Sequence, residues 1–289
     1  MERREVSLVV GADGALGRAL ADRLRRDGER VLETTRRPGT VSEGRILLDL
    51  ASDVSGWLPP CQVSVAYLCA AVTSLERCRK EPAMSAAINV HSVVALARNL
   101  VAGGTFIIFP STNLVYDGSL PFRQADDPMC PLTEYGRQKA EAERQLLGLG
   151  HLTSIVRFTK ILGPDVHLFK GWLKALRMGE IIHPFSDMVL SPVSLPFAVG
   201  VLRRIAEARL PGIVQVSGAE DVTYEQVAKH IARYIEASPD LVQSRKAKEA
   251  GLQLEAIPSH TTLDMTRLRL EFGIEPPSVW SAVDSVFDL

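Results

Sequence analysis

The sequence predicts an α/β protein built on a doubly wound parallel sheet, and three observations lead there. Short apolar runs alternate with amphipathic stretches of helix-forming residues as far as about residue 160. The first run opens into a glycine-spaced loop, Gly11-Ala12-Asp13-Gly14-Ala15-Leu16-Gly17, the kind of connection a strand makes to a helix through a tight turn. A later helical stretch, residues 133–148, carries Tyr135 and Lys139 four residues apart, which puts both on one face. At 289 residues the chain is long for one simple sheet domain, so a substantial appendage is expected beyond the sheet.

Val6-Ser7-Leu8-Val9-Val10, bounded by Gly11, has the pattern of a buried parallel strand. The helix that follows the loop is expected over residues 18–27, with Leu20 and Leu24 on one side, closing at Gly28. Between strand and helix, Gly11 permits the turn, Gly14 lets backbone N–H groups approach a pyrophosphate, and Gly17 lets helix pack close to strand. Asp13, Ala15 and Leu16 complete this candidate dinucleotide loop. Residues 30–35 read as the second strand, whose end selects the cofactor. NAD sites place a carboxylate there for the ribose 2′-hydroxyl, whereas NADP sites offer arginine. Thr35 is neutral and Arg36 and Arg37 follow it, so NADP(H) is favoured over NAD(H). Glu33 is the competing carboxylate, two residues earlier, and a solvated basic turn is the plainer reading of the arginines.

A third strand over residues 45–48 ends at Asp49 and Leu50, placed to contact an adenine. The fourth, residues 63–70, brings Cys69, Ala70 and Ala71 under the cofactor. Residues 83–102 read as a long helix carrying Asn89, whose amide either orients a catalytic lysine through a water or bonds neighbouring backbone. Residues 106–109 form the fifth strand, with Thr112 just past the C-terminal edge where open parallel sheets bind ligands. Residues 116–132 are a surface excursion leading to the Tyr135 helix, for which Thr133 is a plausible N-cap. Residues 152–158 are the sixth strand.

A phenol left alone titrates near ~10 and is a poor acid or base at neutral pH. An ammonium one turn away favours the phenolate, so Tyr135 beside Lys139 can exchange a proton with a carbonyl or alcohol oxygen. Thr112 would supply the second hydrogen bond to that oxygen. Taken alone, the same spacing also fits a solvated helix edge.

Composition excludes several classes. With 33 basic against 34 acidic residues, no electrostatic attraction to nucleic acid or an anionic membrane is expected. The N-terminus lacks a secretory pattern and no apolar run approaches the length of a membrane span. Cys61, Cys69, Cys78 and Cys130, with six scattered histidines, fit neither a disulfide scaffold nor a metal site. A cytoplasmic protein with free thiols and no metal is expected.

With the glycine loop, Thr112, Tyr135 and Lys139 in this order, the chain resembles the extended short-chain dehydrogenase/reductase family. It is most similar to the branch of the dTDP-4-dehydrorhamnose reductases. The likeness is carried by Ser111-Thr112-Asn113-Leu114-Val115-Tyr116-Asp117-Gly118, by residues 135–141, and by Thr262-Leu263-Asp264-Met265-Thr266-Arg267-Leu268 followed by Trp280. It implies a Rossmann domain over residues 1–163 and a smaller α/β substrate lobe over 164–289, with helices at 197–208 and 224–237 and with room for some of its segments to return to the Rossmann sheet. It also implies hydride transfer between NADPH and a keto carbon of a nucleotide-linked sugar. Tyr135 would be the acid/base, Lys139 would bind the nicotinamide ribose and lower the Tyr135 pKa, and Thr112 would polarise the carbonyl. Gly11, Gly14 and Gly17 would hold the pyrophosphate, and Asn89 matches the family's structural asparagine. A homodimer through helices 83–102 and 133–148 is implied too.

Three positions depart from the family pattern. Cys69 stands where Asn precedes Ala-Ala, Lys160 where epimerases carry an asparagine, and Ile257-Pro258 where the reductase branch carries Arg-Pro. Two alternatives remain: an epimerase using the same Tyr and Lys, and a cofactor-binding regulatory subunit like the methionine adenosyltransferase beta subunit. A dehydratase is disfavoured by Asn113-Leu114 after Thr112. In the appendage, Lys160, Lys170, Trp172, His183 and Arg203 are candidate phosphate or base contacts, though an ordinary surface position is the plainer reading of each.

Overall fold

The central apolar runs become strands with their side chains buried on both faces, and the run at residues 45–47, at the sheet edge, is the exposed exception. In chain order they are β1 (Val6–Val10), β2 (Arg30–Thr35), β3 (Arg45–Leu47), β4 (Val65–Leu68), β5 (Phe106–Thr112) and β6 (Thr153–Phe158). Between them run α1 (Ala15–Arg26), α2 (Leu75–Lys80), α3 (Pro82–Ala86), α4 (Val93–Ala102) and α5 (Glu134–Leu147). The structure, a computed structural model, describes residues 6–251 and 254–287; the segment 1–5, read above for a leader, lies outside the described residues.

β1 pairs in parallel with β2 and β4, β2 with β3, β4 with β5, and β5 with β6. Strand order reverses between β1 and β4, which opens the crevice where doubly wound sheets take their ligands. β5 is longer than the apolar run suggests, since Pro110, Ser111 and Thr112 pair with Val156, Arg157 and Phe158. Thr112 is therefore the last residue of the strand rather than a loop residue beyond it.

Helices α3 and α4 are joined by a π-helical stretch, Ala87–Ser92, that carries Asn89. The continuous helix Pro82–Ala102 is long and apolar enough by composition to cross a membrane, contrary to the expectation that no run reaches that length. Its apolar residues have another destination: Val93, Val94, Leu96, Ala97 and Leu100 belong to the core against the sheet, with Leu8, Leu68, Ile107 and Leu146. A helix apolar around most of its circumference is what a buried position requires.

The chain divides into two compact units, and not at residue 163. The first comprises Met1–Val115, Met129–Phe158 and Pro196–Val214; the second Tyr116–Pro128, Thr159–Leu195 and Gln215–Leu289. Beyond β6 come β7 (Ile161–Leu162), α6 (His167–Arg177), β8 (Val189–Leu190), β9 (Val193–Ser194), α7 (Leu195–Ala208), β10 (Gly212–Val216), β11 (Val222–Thr223), α8 (Tyr224–Tyr234), α9 (Thr266–Phe272) and α10 (Val279–Asp284). Helix α7, expected in the smaller lobe, instead groups with the sheet. The reason is β10, a seventh strand that lies beside β6 at the sheet edge, so α7 is the crossover that delivers it. Ala198, Val199, Leu202 and Ile205 bury its inner face.

In the second unit β7 pairs with β9 and β8 with β11, and α6, α8 and α10 enclose a core of Phe169, Leu176, Val227, Ile231 and Val283. Trp172, considered above as a ligand contact, stacks on Phe169 with centroids 5.4 Å apart and is a core residue. Residues 116–128 join this unit because Phe122 N–H bonds Thr262 Oγ1 at 3.2 Å and Gln215 Nε2 donates to Arg123 O at 2.8 Å. The tail motif has its own anchor, Asp221, whose carboxylate accepts the backbone N–H and hydroxyl of both Thr261 and Thr262.

Candidate active site

The glycine loop and the end of β4 face each other across a cleft of about 400 Å³ within the first unit. Ten of the expected cofactor residues line it: Gly11, Asp13, Gly14, Arg36, Arg37, Asp49, Leu50, Cys69, Ala70 and Ala71. Among the lining residues that sequence reasoning missed, Thr34 lies within β2, Thr73 and Ser74 sit between β4 and α2, and Arg77 is on α2; no periodicity marks them as ligand contacts. Ala15, Leu16, Gly17, Thr35, Tyr135 and Lys139 lie outside the lining. The first two open α1, and Thr35 turns its hydroxyl to Asp13 Oδ2 at 2.9 Å.

The loop is built for close approach. Gly11 has φ +87°, and a Cβ there would stand 2.7 Å from Ala70, while one on Gly17 would stand 2.4 Å from the Gly11 carbonyl. Side chains at these positions would fill the space between loop and β4 and push α1 off the strand. The residues present fit the dinucleotide that the loop pattern implies.

At the β2 end, Arg36 and Arg37 are exposed and line the cleft. Glu33, the competing carboxylate, is 5% exposed and bridges Arg25 and Arg45 on the other side of the strand. Asp13 does present a carboxylate to the cleft, but Arg45 Nη2 bonds it directly. Both acids near the strand end are thus paired with arginines, while Arg36 and Arg37 line the cleft without an ion pair among the described residues.

Helix α5 begins where Thr133 Oγ1 accepts the Gly136 N–H at 3.0 Å, satisfying one of the orphan donors of the first turn. Gly136 has a reason of its own: a Cβ there would lie 2.1 Å from the Leu114 carbonyl, so only glycine lets α5 sit against the turn after Thr112. Tyr135 is half-buried, and Lys139 is 2% exposed. Lys139 Nζ donates to Pro110 O at 2.6 Å and stands 3.6 Å from the Phe109 ring centroid. This joins the Tyr135 helix to the strand that ends in Thr112. Thr112 Oγ1 accepts the Leu114 N–H at 3.2 Å, which fixes the hydroxyl at the strand end.

The electrostatics differ from the expectation that the ammonium would lower the phenol. Burial, with a smaller contribution from the Cys78 thiol, holds Tyr135 above the usual tyrosine range. Burial also lowers Lys139 to about 7, opposed by Glu143 and then Cys69, and pushes the Cys69 thiol up to about 12. The physical reason is desolvation, which disfavours the charged form of either group.

Asn89 takes the backbone-bonding alternative. Its Oδ1 accepts Val72 N–H at 2.8 Å, and its Nδ2 donates to Val72 O at 3.0 Å and to Gln138 Oε1 at 2.9 Å. Val72 lines the cleft and Gln138 stands beside Lys139 on α5, so Asn89 connects the two. The π-helical turn presents it there, a distortion that often marks functional positions. Gln138 was absent from the expected set, although its place inside the Tyr–Lys interval was a visible signal.

A family model, the RmlD substrate binding domain, matches residues 6–289. A dTDP-4-dehydrorhamnose reductase of Aggregatibacter actinomycetemcomitans is 26% identical over 294 residues, covering 96% of this chain and 97% of that protein. The methionine adenosyltransferase 2 subunit beta of Xenopus tropicalis is 29% identical over 231 residues, covering 75% and 68%. Among solved structures, a dTDP-4-dehydrorhamnose reductase of Bacillus anthracis str. Ames in complex with NADP superposes with a TM-score of 0.87 at 20% identity, covering 100% of this chain and 99% of that one. Since the match runs through both units, this chain belongs to the RmlD substrate binding domain family, of the extended short-chain dehydrogenase/reductase type.

Proposed function

We propose that the protein is an NADP(H)-dependent reductase of a keto group on a nucleotide-linked sugar, of the dTDP-4-dehydrorhamnose type. The observation that carries this reading is the docking of Lys139 on Pro110, which ties the Tyr135 helix to the strand ending in Thr112. The Aggregatibacter reductase named above, matched along 97% of its length, supports it.

Bound NADPH supplies the hydride and becomes NADP⁺ as the keto carbon becomes an alcohol. The chain's own residues hold and protonate. Gly11, Gly14 and Gly17 with the first turn of α1 take the pyrophosphate, and Asp49, Leu50 and Cys69 to Ala71 take the adenosine side. Arg36 and Arg37 take a 2′-phosphate, since charge-assisted guanidinium contacts favour the doubly charged group over a hydroxyl. Thr112 donates to the keto oxygen. Tyr135, kept protonated by its buried setting, gives its proton to that oxygen as negative charge develops there. Lys139 holds the nicotinamide ribose, and Asn89 keeps α5 in register with the cleft wall. We assign sugar-nucleotide recognition to the second unit, and we take the protein as a cytoplasmic homodimer through Pro82–Ala102 and α5.

The likeness to the methionine adenosyltransferase subunit favours a second reading, a cofactor-binding regulatory role. Purified protein incubated with NADPH and dTDP-4-dehydrorhamnose separates the two. Loss of the nicotinamide absorbance in step with formation of the alcohol is expected. Saturable NADPH binding without oxidation, across a panel of keto-sugar nucleotides, would instead support the regulatory role.

A further inference from the structure

One turn beyond Lys139 on α5 stands Glu143, which has no place in the site just described. Arg157 on β6 donates to its Oε2 through Nη2 at 2.7 Å and Nε at 3.0 Å, and Ser111 Oγ on β5 donates to its Oε1. The side chains are 1% and 0% exposed for Arg157 and Glu143. A buried ion pair is a weak source of stability, because desolvation offsets its attraction and apolar residues of similar volume often serve a fold as well. Its neighbours suggest another role. Ser111 lies between Pro110, whose carbonyl receives Lys139, and Thr112.

The groups whose charge acts on the Lys139 ammonium are Glu143 on α5 and Cys69 after β4; Tyr135 stands one turn earlier on α5 with Cys78 of α2 beside it, and Arg157 of β6 binds Glu143 directly. Among these, Glu143 is the carboxylate. It is also the largest influence opposing the burial of Lys139.

We propose that Glu143, clamped by Ser111 and Arg157, is a positioning residue that supplies the countercharge for Lys139. The guanidinium binds this carboxylate directly, while the ammonium one turn away feels its charge, so the two cations draw on one anion. This coupling rests on the reductase reading only for its consequence in turnover.

Competition makes the two ends of the cluster act in opposite senses. Glu143→Gln leaves two buried cations and no anion, so Lys139 releases its proton at lower pH. Arg157→Met leaves Glu143 to Lys139 alone, so the proton is held to higher pH. A pair that merely braces the sheet would not move Lys139 in opposite directions.

The test is a pH titration of the Lys139 Cε resonance in protein labelled with carbon-13 lysine, assigned by its disappearance in Lys139→Met. The pH profile of keto-sugar turnover is recorded in parallel. The midpoint is expected to fall by about one unit or more in Glu143→Gln and to rise by a similar amount in Arg157→Met, with the alkaline limb of turnover following. Should Glu143→Gln not fold, Arg157→Met carries the test, because it leaves the buried charges balanced. A midpoint that stays put, or that moves the same way in both variants, overturns the proposal. Midpoints that move as expected in a protein that never turns over a keto sugar uphold the coupling and count against the reductase reading alone.

Discussion

Asn89 Nδ2 reaches Gln138 Oε1 at 2.9 Å while its Oδ1 accepts the Val72 N–H at 2.8 Å, so one buried amide binds the cleft wall to α5. Asn89→Ala would leave the N–H and C=O of Val72 and the Gln138 side chain without this partner. At about 1–3 kcal/mol for each buried group left unsatisfied, the variant should lose about 3 kcal/mol or more. Urea denaturation reads this directly, and an unchanged midpoint would show that the amide bears no structural weight.

Tyr135→Phe removes one hydroxyl and keeps the ring. Turnover should fall by at least about a hundredfold, the lower range for losing a positioned general acid. NADPH affinity, measured by fluorescence titration, should stay within a few-fold, because the pyrophosphate and adenosine contacts lie in the glycine cleft. Equal turnover in variant and wild type would end the acid assignment.

Arg36→Ala combined with Arg37→Ala should weaken NADPH far more than NADH. Hydrogen bonds to charged groups contribute about 1.5–3 kcal/mol each, so a loss of tenfold or more in NADPH affinity is expected. Titrating both cofactors against wild type and variant measures the preference. If it is unchanged, the 2′-phosphate is held elsewhere.

Lys139 also predicts a pH dependence of stability. Its pKa falls from 10.5 in the unfolded chain to about 7 in the fold. Below about 7 both states carry the proton and the cost of burying the ammonium is constant. Between about 7 and 10.5 the unfolded chain binds more protons than the native state, so this group's contribution to stability rises with pH through that window. Lys139→Met should abolish that rise. Chemical denaturation at several pH values compares the two, and parallel curves would contradict the lowered pKa.

Much of the cofactor half was legible because its signals are local. The run ending at Val10, the turn at Gly11, and the neutral Thr35 followed by two arginines each declare themselves within a few residues. Thr133 as N-cap and the Tyr135–Lys139 spacing are likewise properties of one helix. The electrostatic reading of that pair failed for a reason no spacing reveals: both groups are desolvated, and burial outweighs their mutual effect.

By itself, then, the sequence determined the alternation of strands and helices, the glycine loop, and which side chains share a face with Tyr135. Those follow from local sterics and hydrophobic periodicity. Only the tertiary structure decided that Glu33 is taken by Arg25 and Arg45, and that Asn89 bonds a residue 49 positions away. It likewise decided that residues 196–214 return to the sheet and that Lys139 leans on Pro110. Each of these depends on which strands lie side by side, and strand order is settled by packing a whole core rather than by any segment's own preference.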